Sequence, residues 1–289
     1  MLQDAEDRED YALSVRENGP HTVVFPINGT RRWFALSEGD RTGDDYRTRY
    51  PEIVARELRR LIGLFFDNGV RTLVVPVYGG DLIERGAEYR EMAEVGIRLL
   101  CGQEARALYS ESAVRVRFYG EYADQLSDEM LSEMECLIRD TAGNEEHRLF
   151  YGVCGDTAVP AIARAVLEAG RLISHEEAIR AFYGEDLMAD LFIGFDQPTA
   201  FDMPLIDRGG VDLYFTAAPS LYMDEKLLRM IFFDWQKVRR ENAAYDTLRV
   251  HHWEYMDHFY TLNRHAVMGL GRRKDGIWYP VCDIKEADT

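Results

Sequence analysis

Short apolar segments alternate with longer helical patterns along almost the whole chain. Six segments rich in β-branched and aromatic residues are typical of strands, at residues 21–27, 71–78, 113–119, 148–154, 190–195 and 211–216. Between and after them, apolar residues recur at helical spacing, at residues 47–67, 81–109, 122–140, 156–169, 175–183, 224–241 and 250–267. This alternation predicts an α/β fold in which about six mostly parallel strands are flanked by helices.

No feature of the sequence divides the chain into separate units. Its 289 residues contain no repeat, no low-complexity tract and no linker rich in Pro or Ser. That length suits one large α/β domain or two small ones, and without a boundary we expect one. The expected single domain covers residues 1–289, with a flexible segment at residues 1–18 and a C-terminal helical extension at residues 245–289.

Charge and cysteine content narrow the possible partners and the compartment. Lys and Arg number 34 against 51 Asp and Glu, a net charge of −17, which argues against nucleic acid or an anionic membrane as partner. The chain has 4 cysteines and no Cys-x-x-Cys pair, which favours reduced thiols. Residues 1–9 are too polar for a signal peptide, and no apolar run reaches the roughly 20 residues of a membrane span. We therefore expect a cytoplasmic protein without a transmembrane segment.

A tight turn followed by two arginines comes directly after the first predicted strand. Residues 25–34 read FPINGTRRWF, so Asn28-Gly29 forms the turn and Arg31 and Arg32 lie just beyond it. In an open α/β sheet, ligands bind at this C-terminal edge of the strands. Two guanidinium groups suit a diphosphate, because each can bind two phosphate oxygens. A surface turn with two solvated arginines is the competing interpretation.

The neighbouring aromatic residues suggest what the diphosphate carries. Trp33 and Phe34 follow the two arginines at once. A diphosphate site beside large apolar rings points to an isoprenoid diphosphate.

The same segment resembles the signature of a known family. Residues 28–33, NGTRRW, are similar to the Asp-Gly-Asn-Arg-Arg-Trp motif of the cis-prenyltransferases, the superfamily of undecaprenyl diphosphate synthase. The chain is more similar to the divergent branch typified by tuberculosinol synthase. It shares with that branch the short sequence segments at residues 29–34, 146–149, 192–195, 213–216, 218–220 and 275–278. The resemblance spans nearly the whole chain and implies the cis-prenyltransferase fold, usually as a homodimer.

The site for a second diphosphate is absent from the sequence. Chain-elongating family members hold isopentenyl diphosphate with Leu-Ile-Arg-Thr and a following Arg-x-Ser-Asn. The matching residues here read LFIGF at 191–195 and TAFD at 199–202. No Arg or Lys occurs from residue 190 to residue 207, where four Asp residues lie. We therefore expect the protein to activate one prenyl diphosphate and not to lengthen it.

The resemblance extends the allylic site to the loop after the second strand. The family's Phe-Ser-x-Glu-Asn-Trp-x-Arg becomes YGGDLIER at residues 78–85. The resemblance thus assigns substrate contacts to Tyr78, Gly79, Gly80 and Arg85. Arg85 as a solvated helix charge is the alternative.

A carbocation left by diphosphate release would need apolar and aromatic walls. Trp33, Phe34, Tyr78 and Phe118 are candidate rings, although any single aromatic residue of such a chain is more often part of the protein core. The resemblance adds Tyr46, which follows an Asp-Asp pair here as a Tyr does in the tuberculosinol branch. The expected catalytic set contains Asn28, Arg31, Arg32 and Tyr46, with Gly29 and Thr30 contributing substrate contacts.

Metal use is the point at which the sequence departs from the family. Elongating enzymes hold Mg²⁺ with an Asp after strand one and a Glu near the last strand, and the resemblance places Asn28 and Asp212 at these positions. An amide oxygen and one carboxylate, with diphosphate oxygens, can still bind Mg²⁺. We expect Mg²⁺ to be used, but more weakly than by relatives with Asp. Asp212 as an edge-strand charge is the competing interpretation.

The histidines are expected to be structural. His147 directly precedes the fourth strand and so faces away from the C-terminal edge. His251, His252 and His258 have no carboxylate-flanked spacing that would indicate a metal site.

These observations predict an enzyme that ionises one C15–C20 allylic diphosphate, such as a terpene synthase acting on a linear or bicyclic substrate. Two alternatives remain open: a prenyltransferase that alkylates a small acceptor such as a nucleoside, and a catalytically silent subunit. Asn28 in place of the family's Asp favours the silent subunit. Retention of Arg31, Arg32 and Arg85 favours an enzyme.

Overall fold

Six parallel strands form the central sheet of the computed structural model, which describes residues 2–38, 45–80, 86–207, 209–239 and 250–280. The strands are β1 Thr22–Val24, β2 Thr72–Tyr78, β3 Val114–Tyr119, β4 His147–Val153, β5 Leu191–Phe195 and β6 Asp212–Thr216. Their order across the sheet is β3-β4-β2-β1-β5-β6, and every pair is parallel. The predicted fold class and all six predicted strands are confirmed.

Helices cover both faces of this sheet. They are α1 Leu2–Asn18, α2 Thr30–Ser37, α3 Asp45–Asp67, α4 Ala87–Cys101, α5 Gln103–Glu111, α6 Asp128–Asp140, α7 Val159–Ala169, α8 His175–Tyr183 and α9 Glu225–Phe233. The further helix α10 Val250–Asn263 is largely exposed. Neighbouring strand residues point to opposite faces, so Val23 belongs to the core under α1 to α6 and α9, whereas Val24 belongs to the core under α7 and α8. Among the described residues, no helix is both long and apolar enough to span a membrane.

Two predicted element boundaries are wrong for local reasons. The helix expected over residues 81–109 is two helices, because Gly102 is extended (ψ 174°) and separates α4 from α5. The first strand was expected over residues 21–27, but regular strand pairing covers only Thr22–Val24. The backbone nevertheless continues beside β2, since the Phe25 N–H donates to the Val74 carbonyl at 2.8 Å.

Regular structure occurs near both ends of the chain. Residues 2–18, expected to be flexible, form α1, whose Val15 is fully buried in the core. The C-terminal segment, expected to be helical, contains α10 and then the hairpin of β7 Gly271–Lys274 and β8 Ile277–Pro280. Asp275 and Gly276 both have positive φ (51° and 81°), as a tight two-residue hairpin turn requires. The Asp-Gly pair was the signal for this hairpin.

Asp190 links the N-terminal ends of β1 and β5 through hydrogen bonds. Its Oδ2 accepts hydrogen bonds from the N–H groups of His21 and Thr22, both at 2.9 Å. The carboxylate therefore fixes β5 beside β1 at the N-terminal edge of the sheet.

His147 has the structural role that its position predicted. The side chain is buried at the start of β4 and stacks on Phe66 with ring centroids 4.3 Å apart. Its Nδ1 lies 2.9 Å from the Val70 carbonyl and so carries the proton, which leaves Nε2 to face the Arg16 guanidinium at 3.5 Å. Burial, together with the Arg16 charge, lowers the pKa of His147.

We predict that stability falls when His147 takes up a proton. Because the folded state lowers the pKa of His147, the unfolded chain binds this proton more readily. The stabilisation by neutral His147 is therefore complete above the ordinary pKa of 6.5 and is lost as the pH falls below it. Urea unfolding between pH 5 and pH 8 should give a smaller pH slope for His147→Gln than for the wild type.

The control for this prediction is the exposed His175 at the start of α8. His175→Gln should keep the wild-type slope. An unchanged slope in His147→Gln would contradict the prediction.

Candidate active site

A cavity of about 690 Å³ opens at the C-terminal edge of the sheet. Asn28, which follows β1, Gly79, which follows β2, and Asp156, which follows β4, all line it. Phe201 and Asp202 from the loop between β5 and β6 complete this side. The cavity therefore occupies the place where open α/β sheets bind ligands.

The turn after β1 is fixed by backbone contacts. The Asn28 N–H donates to Ser220 Oγ at 3.0 Å, and the Asn28 carbonyl accepts from the Ser220 N–H at 3.1 Å. Gly29 has φ 72°, and a Cβ on it would lie 2.5 Å from the Phe195 ring. Only glycine satisfies both the positive φ and this close approach.

Gly29 also begins helix α2, which the sequence analysis did not predict. The first helical bond joins the Trp33 N–H to the Gly29 carbonyl at 2.9 Å. The N–H groups of Thr30, Arg31 and Arg32 precede that bond and have no intrahelical acceptor, and these three residues line the cavity. A helix N-terminus of this kind binds phosphate through its N–H groups and its dipole.

Arg31 and Arg32 add two positive charges to this helix start. Arg31 is exposed, and its guanidinium lies 5.3 Å from the centre of the Tyr89 ring. The Arg32 guanidinium stacks on Phe195 at 4.7 Å and forms an ion pair with Asp196. Among the residues that the structure describes, these are the only basic side chains that line the cavity. Arg85 lies outside the described residues and stays a prediction.

Three tyrosines line the cavity: Tyr50, Tyr78 and Tyr89. The Tyr50 hydroxyl lies 2.6 Å from Thr30 Oγ1. Burial, reinforced by the other two tyrosines, raises the pKa of Tyr78, so its phenol is neutral near pH 7. The sequence predicted a substrate contact for Tyr78 but not for Tyr50 or Tyr89. For Tyr50 a signal existed, since it precedes Val54 and Leu58 at helical spacing on α3.

Beyond the tyrosines the cavity is apolar. Helix α3 contributes Val54, Ala55 and Leu58, and helix α4 contributes Met92 and Leu100. The cavity thus joins a phosphate-binding end to an arm that suits a hydrocarbon chain. Its volume lies within the roughly 300–1,000 Å³ of small-molecule sites.

Three predicted substrate contacts belong to the core instead. Trp33 is 8% exposed and meets the edge of Tyr222, and Phe34 is fully buried. Phe118 is 6% exposed and stacks on Tyr151. None of the three is among the described residues that line the cavity. Trp33 and Phe34 lie on the face of α2 that points away from the edge occupied by its arginines. Tyr46 lies in α3, and its side chain is outside the described residues.

Asp212 is far from the turn that holds Asn28. It begins β6 opposite Leu191, at the N-terminal edge of the sheet, and its Oδ1 accepts from Arg239 Nη1 at 3.2 Å. The length of β6 alone separates it from the cavity edge by roughly 13 Å. The structure therefore does not bring Asn28 and Asp212 of one chain together, as the predicted shared metal site would require.

Two carboxylates line the same cavity as Asn28. Asp156 and Asp202 line the same cavity, and a Cβ on Gly80 would lie 2.4 Å from Asp156 Oδ1. No group of three or more His, Cys, Asp or Glu suited to a metal occurs among the described residues. An ion here would therefore need oxygens from a bound diphosphate as well. Asp156 could have been found from its place just after the fourth strand.

Comparison with curated proteins reveals two relatives over nearly the full chain. Tuberculosinyl adenosine transferase from Mycobacterium tuberculosis is 35% identical over 278 residues, which are 92% of this chain and 92% of the relative. (+)-Kolavelool synthase from Herpetosiphon aurantiacus is 26% identical over 283 residues, covering 92% and 91%. No protein-family profile matches the chain.

Solved structures match the fold. A probable undecaprenyl diphosphate synthase from Campylobacter jejuni has a TM-score of 0.59 at 15% identity, covering 78% of this chain and 98% of its own. Lavandulyl diphosphate synthase from Lavandula x intermedia has a TM-score of 0.58 at 16% identity, covering 76% and 97%. The fold, the cavity and the identity to the mycobacterial transferase agree, and the chain belongs to the divergent branch of the cis-prenyltransferase superfamily that contains this transferase and kolavelool synthase.

Proposed function

We propose that the protein ionises a single C15–C20 allylic diphosphate and releases pyrophosphate. The observation that carries this proposal is the cavity itself, which joins the N–H groups of α2 and two arginines to an arm lined by tyrosines and apolar residues. The first end suits a diphosphate, and the second suits a prenyl chain. Both named relatives are enzymes of prenyl metabolism, which supports the same conclusion.

The proposed step breaks the bond between the allylic carbon and the diphosphate oxygen. Both electrons of that bond leave with pyrophosphate, whose charge is stabilised by Arg31, Arg32 and the start of α2. The carbocation remains among the rings of Tyr50, Tyr78 and Tyr89, each of which can stabilise a cation by ~0.5–2 kcal/mol. Loss of a proton gives a hydrocarbon, and capture of water with release of a proton gives an alcohol.

Mg²⁺ is part of this proposal. Asn28, Asp156 and Asp202 line the cavity, and their oxygens suit a hard cation, which often uses one or two carboxylates with substrate phosphates. The bound ion would add positive charge for the leaving pyrophosphate.

A second candidate is transfer of the prenyl group to a nucleoside. The name of the 35% identical relative, an adenosine transferase, favours it. The two candidates share the ionisation step and differ only in what traps the cation. The third alternative, a silent subunit, is less favoured because Arg31 and Arg32 both line the cavity.

We also propose that the protein is a cytoplasmic homodimer. Strand β6 is an edge of the sheet, and exposed apolar side chains lie on it and nearby, including Leu213, Tyr222, Met230 and Phe233. A second copy would cover this edge and these side chains.

The proposal is tested by incubating the protein with farnesyl, geranylgeranyl and copalyl diphosphates and Mg²⁺. Pyrophosphate and a terpene product are expected from at least one substrate, and added adenosine distinguishes hydrolysis from transfer. Radiolabelled isopentenyl diphosphate should not enter any product, since residues 190–207 contain no Arg or Lys. A labelled, longer prenyl diphosphate would disprove the single-substrate proposal, and the absence of pyrophosphate release would disprove ionisation.

We predict that Arg31→Ala and Arg32→Ala each lower turnover by ~10²-fold or more, the effect of losing a group that stabilises a leaving anion. Arg31 is exposed, so its replacement should change the free energy of unfolding by less than about 0.5 kcal/mol. Arg56→Ala, an exposed arginine on α3 that contacts Glu57, is the matched control and should keep normal turnover. Near-normal turnover in both arginine variants would show that the diphosphate binds elsewhere.

We predict that Asn28→Asp lowers the Mg²⁺ concentration for half-maximal rate, because it adds an anion where the ion would bind. The same anion should weaken substrate binding when a chelator removes the metal. Asp156→Asn should raise the Mg²⁺ requirement. Asp212→Asn, at the opposite edge of the sheet, is the control and should leave it unchanged. A Mg²⁺ titration that none of the cavity variants alters would place the ion outside this cavity.

A further inference from the structure

The Tyr78 hydroxyl packs against Gly96 of the facing helix α4. A Cβ on Gly96, in the middle of α4, would lie 2.0 Å from the Tyr78 hydroxyl oxygen and 3.3 Å from its Cζ. The first distance is impossible for a real side chain, so Tyr78 takes its present position only because residue 96 has no side chain. Both residues line the cavity.

Glycine is an unfavourable residue within a helix. Relative to alanine it destabilises a helix by roughly 0.5–1 kcal/mol. Gly63, within α3, shows the contrasting case, since a Cβ on it would meet nothing within 4 Å. Gly96 therefore differs from Gly63 in making room for a cavity side chain.

Tyr78 stands between the two ends of the cavity. It directly precedes Gly79 and Gly80 of the polar end, and its partner Gly96 lies on α4 between Met92 and Leu100 of the apolar arm. The ring of Tyr78 thus forms one wall of a neck, which we define by Tyr78 and Gly96. In the proposed binding mode, a prenyl group whose diphosphate is held at α2 passes this neck on its way to the apolar arm.

We propose that Gly96 is a specificity-determining residue. It sets the width of the neck because the absence of a side chain at residue 96 allows the Tyr78 ring to pack against α4. This inference rests on the proposed function, because it assumes a prenyl diphosphate in the cavity. A methyl group at residue 96 displaces the Tyr78 ring, and the open space beside both residues is the cavity. The narrowed neck discriminates against wide, ring-bearing prenyl groups and admits slim, linear ones.

The test compares two diphosphates with the same number of carbon atoms. Linear geranylgeranyl diphosphate and bicyclic copalyl diphosphate are titrated calorimetrically in a chelator, so that binding is measured without turnover. In Gly96→Ala, the dissociation constant of the bicyclic compound should rise at least about tenfold more than that of the linear one, the effect of one methyl group in an apolar site. Inorganic pyrophosphate should bind the variant and the wild type equally.

A double variant identifies the cause. Tyr78→Phe removes the hydroxyl that a Cβ at residue 96 would meet and leaves the ring 3.3 Å away at its nearest atom. The variant Gly96→Ala/Tyr78→Phe should therefore regain the wild-type ratio of the two dissociation constants within about threefold. Gly63→Ala makes the same change at the matched helix position and should leave the ratio unchanged.

The outcomes separate this inference from the proposed function. A wild type that binds neither prenyl diphosphate overturns both. A wild type that binds them, with an unchanged ratio in Gly96→Ala or no recovery in the double variant, overturns the role of Gly96 alone. The melting temperature of Gly96→Ala should lie within about 3 °C of the wild-type value, since the added methyl group meets only the end of the Tyr78 side chain, which has open space beside it. If the ratio of the two dissociation constants changes only in protein that has lost its fold, the inference is overturned as well.

Discussion

The site depends on one backbone turn, at Gly29. Its positive φ of 72° reverses the chain directly after the β1 segment and lets α2 begin at the edge of the sheet. The missing side chain lets Phe195 pack against it, and the Phe195 ring in turn supports the Arg32 guanidinium. Any other residue would introduce strain and a collision together. The N–H groups of α2 and both arginines therefore take their positions from this turn.

The cavity is lined by side chains of both charges. The chain carries a net charge of −17, and Asp156 and Asp202 line the cavity beside the two arginines. Asp196 pairs with Arg32 and so offsets part of its charge. The positive potential that a diphosphate needs is thus local, confined to the start of α2.

Local sequence patterns predicted the framework well. Alternating apolar strands and helical stripes identified the six parallel strands, because element type follows from periodicity over a few residues. The NGTRRW segment also identified the polar end of the cavity, since a turn after a strand in a parallel sheet must lie at the ligand edge. The N-terminal helix and the C-terminal hairpin were missed, the first for lack of a clear apolar stripe and the second despite its Asp-Gly turn.

By itself, the sequence determined the fold class, the order of the strands along the chain and the glycine turn with its two arginines. Only the tertiary structure decided which side chains reach that turn. Trp33 and Phe34 adjoin the arginines in sequence and yet lie in the core, whereas Tyr50, Tyr89 and Asp156 come from distant segments and line the cavity. Asp212, matched by motif, lies at the opposite edge. The physical reason is that periodicity fixes what an element is, while the neighbours of a side chain depend on how strands align and helices pack across the whole chain.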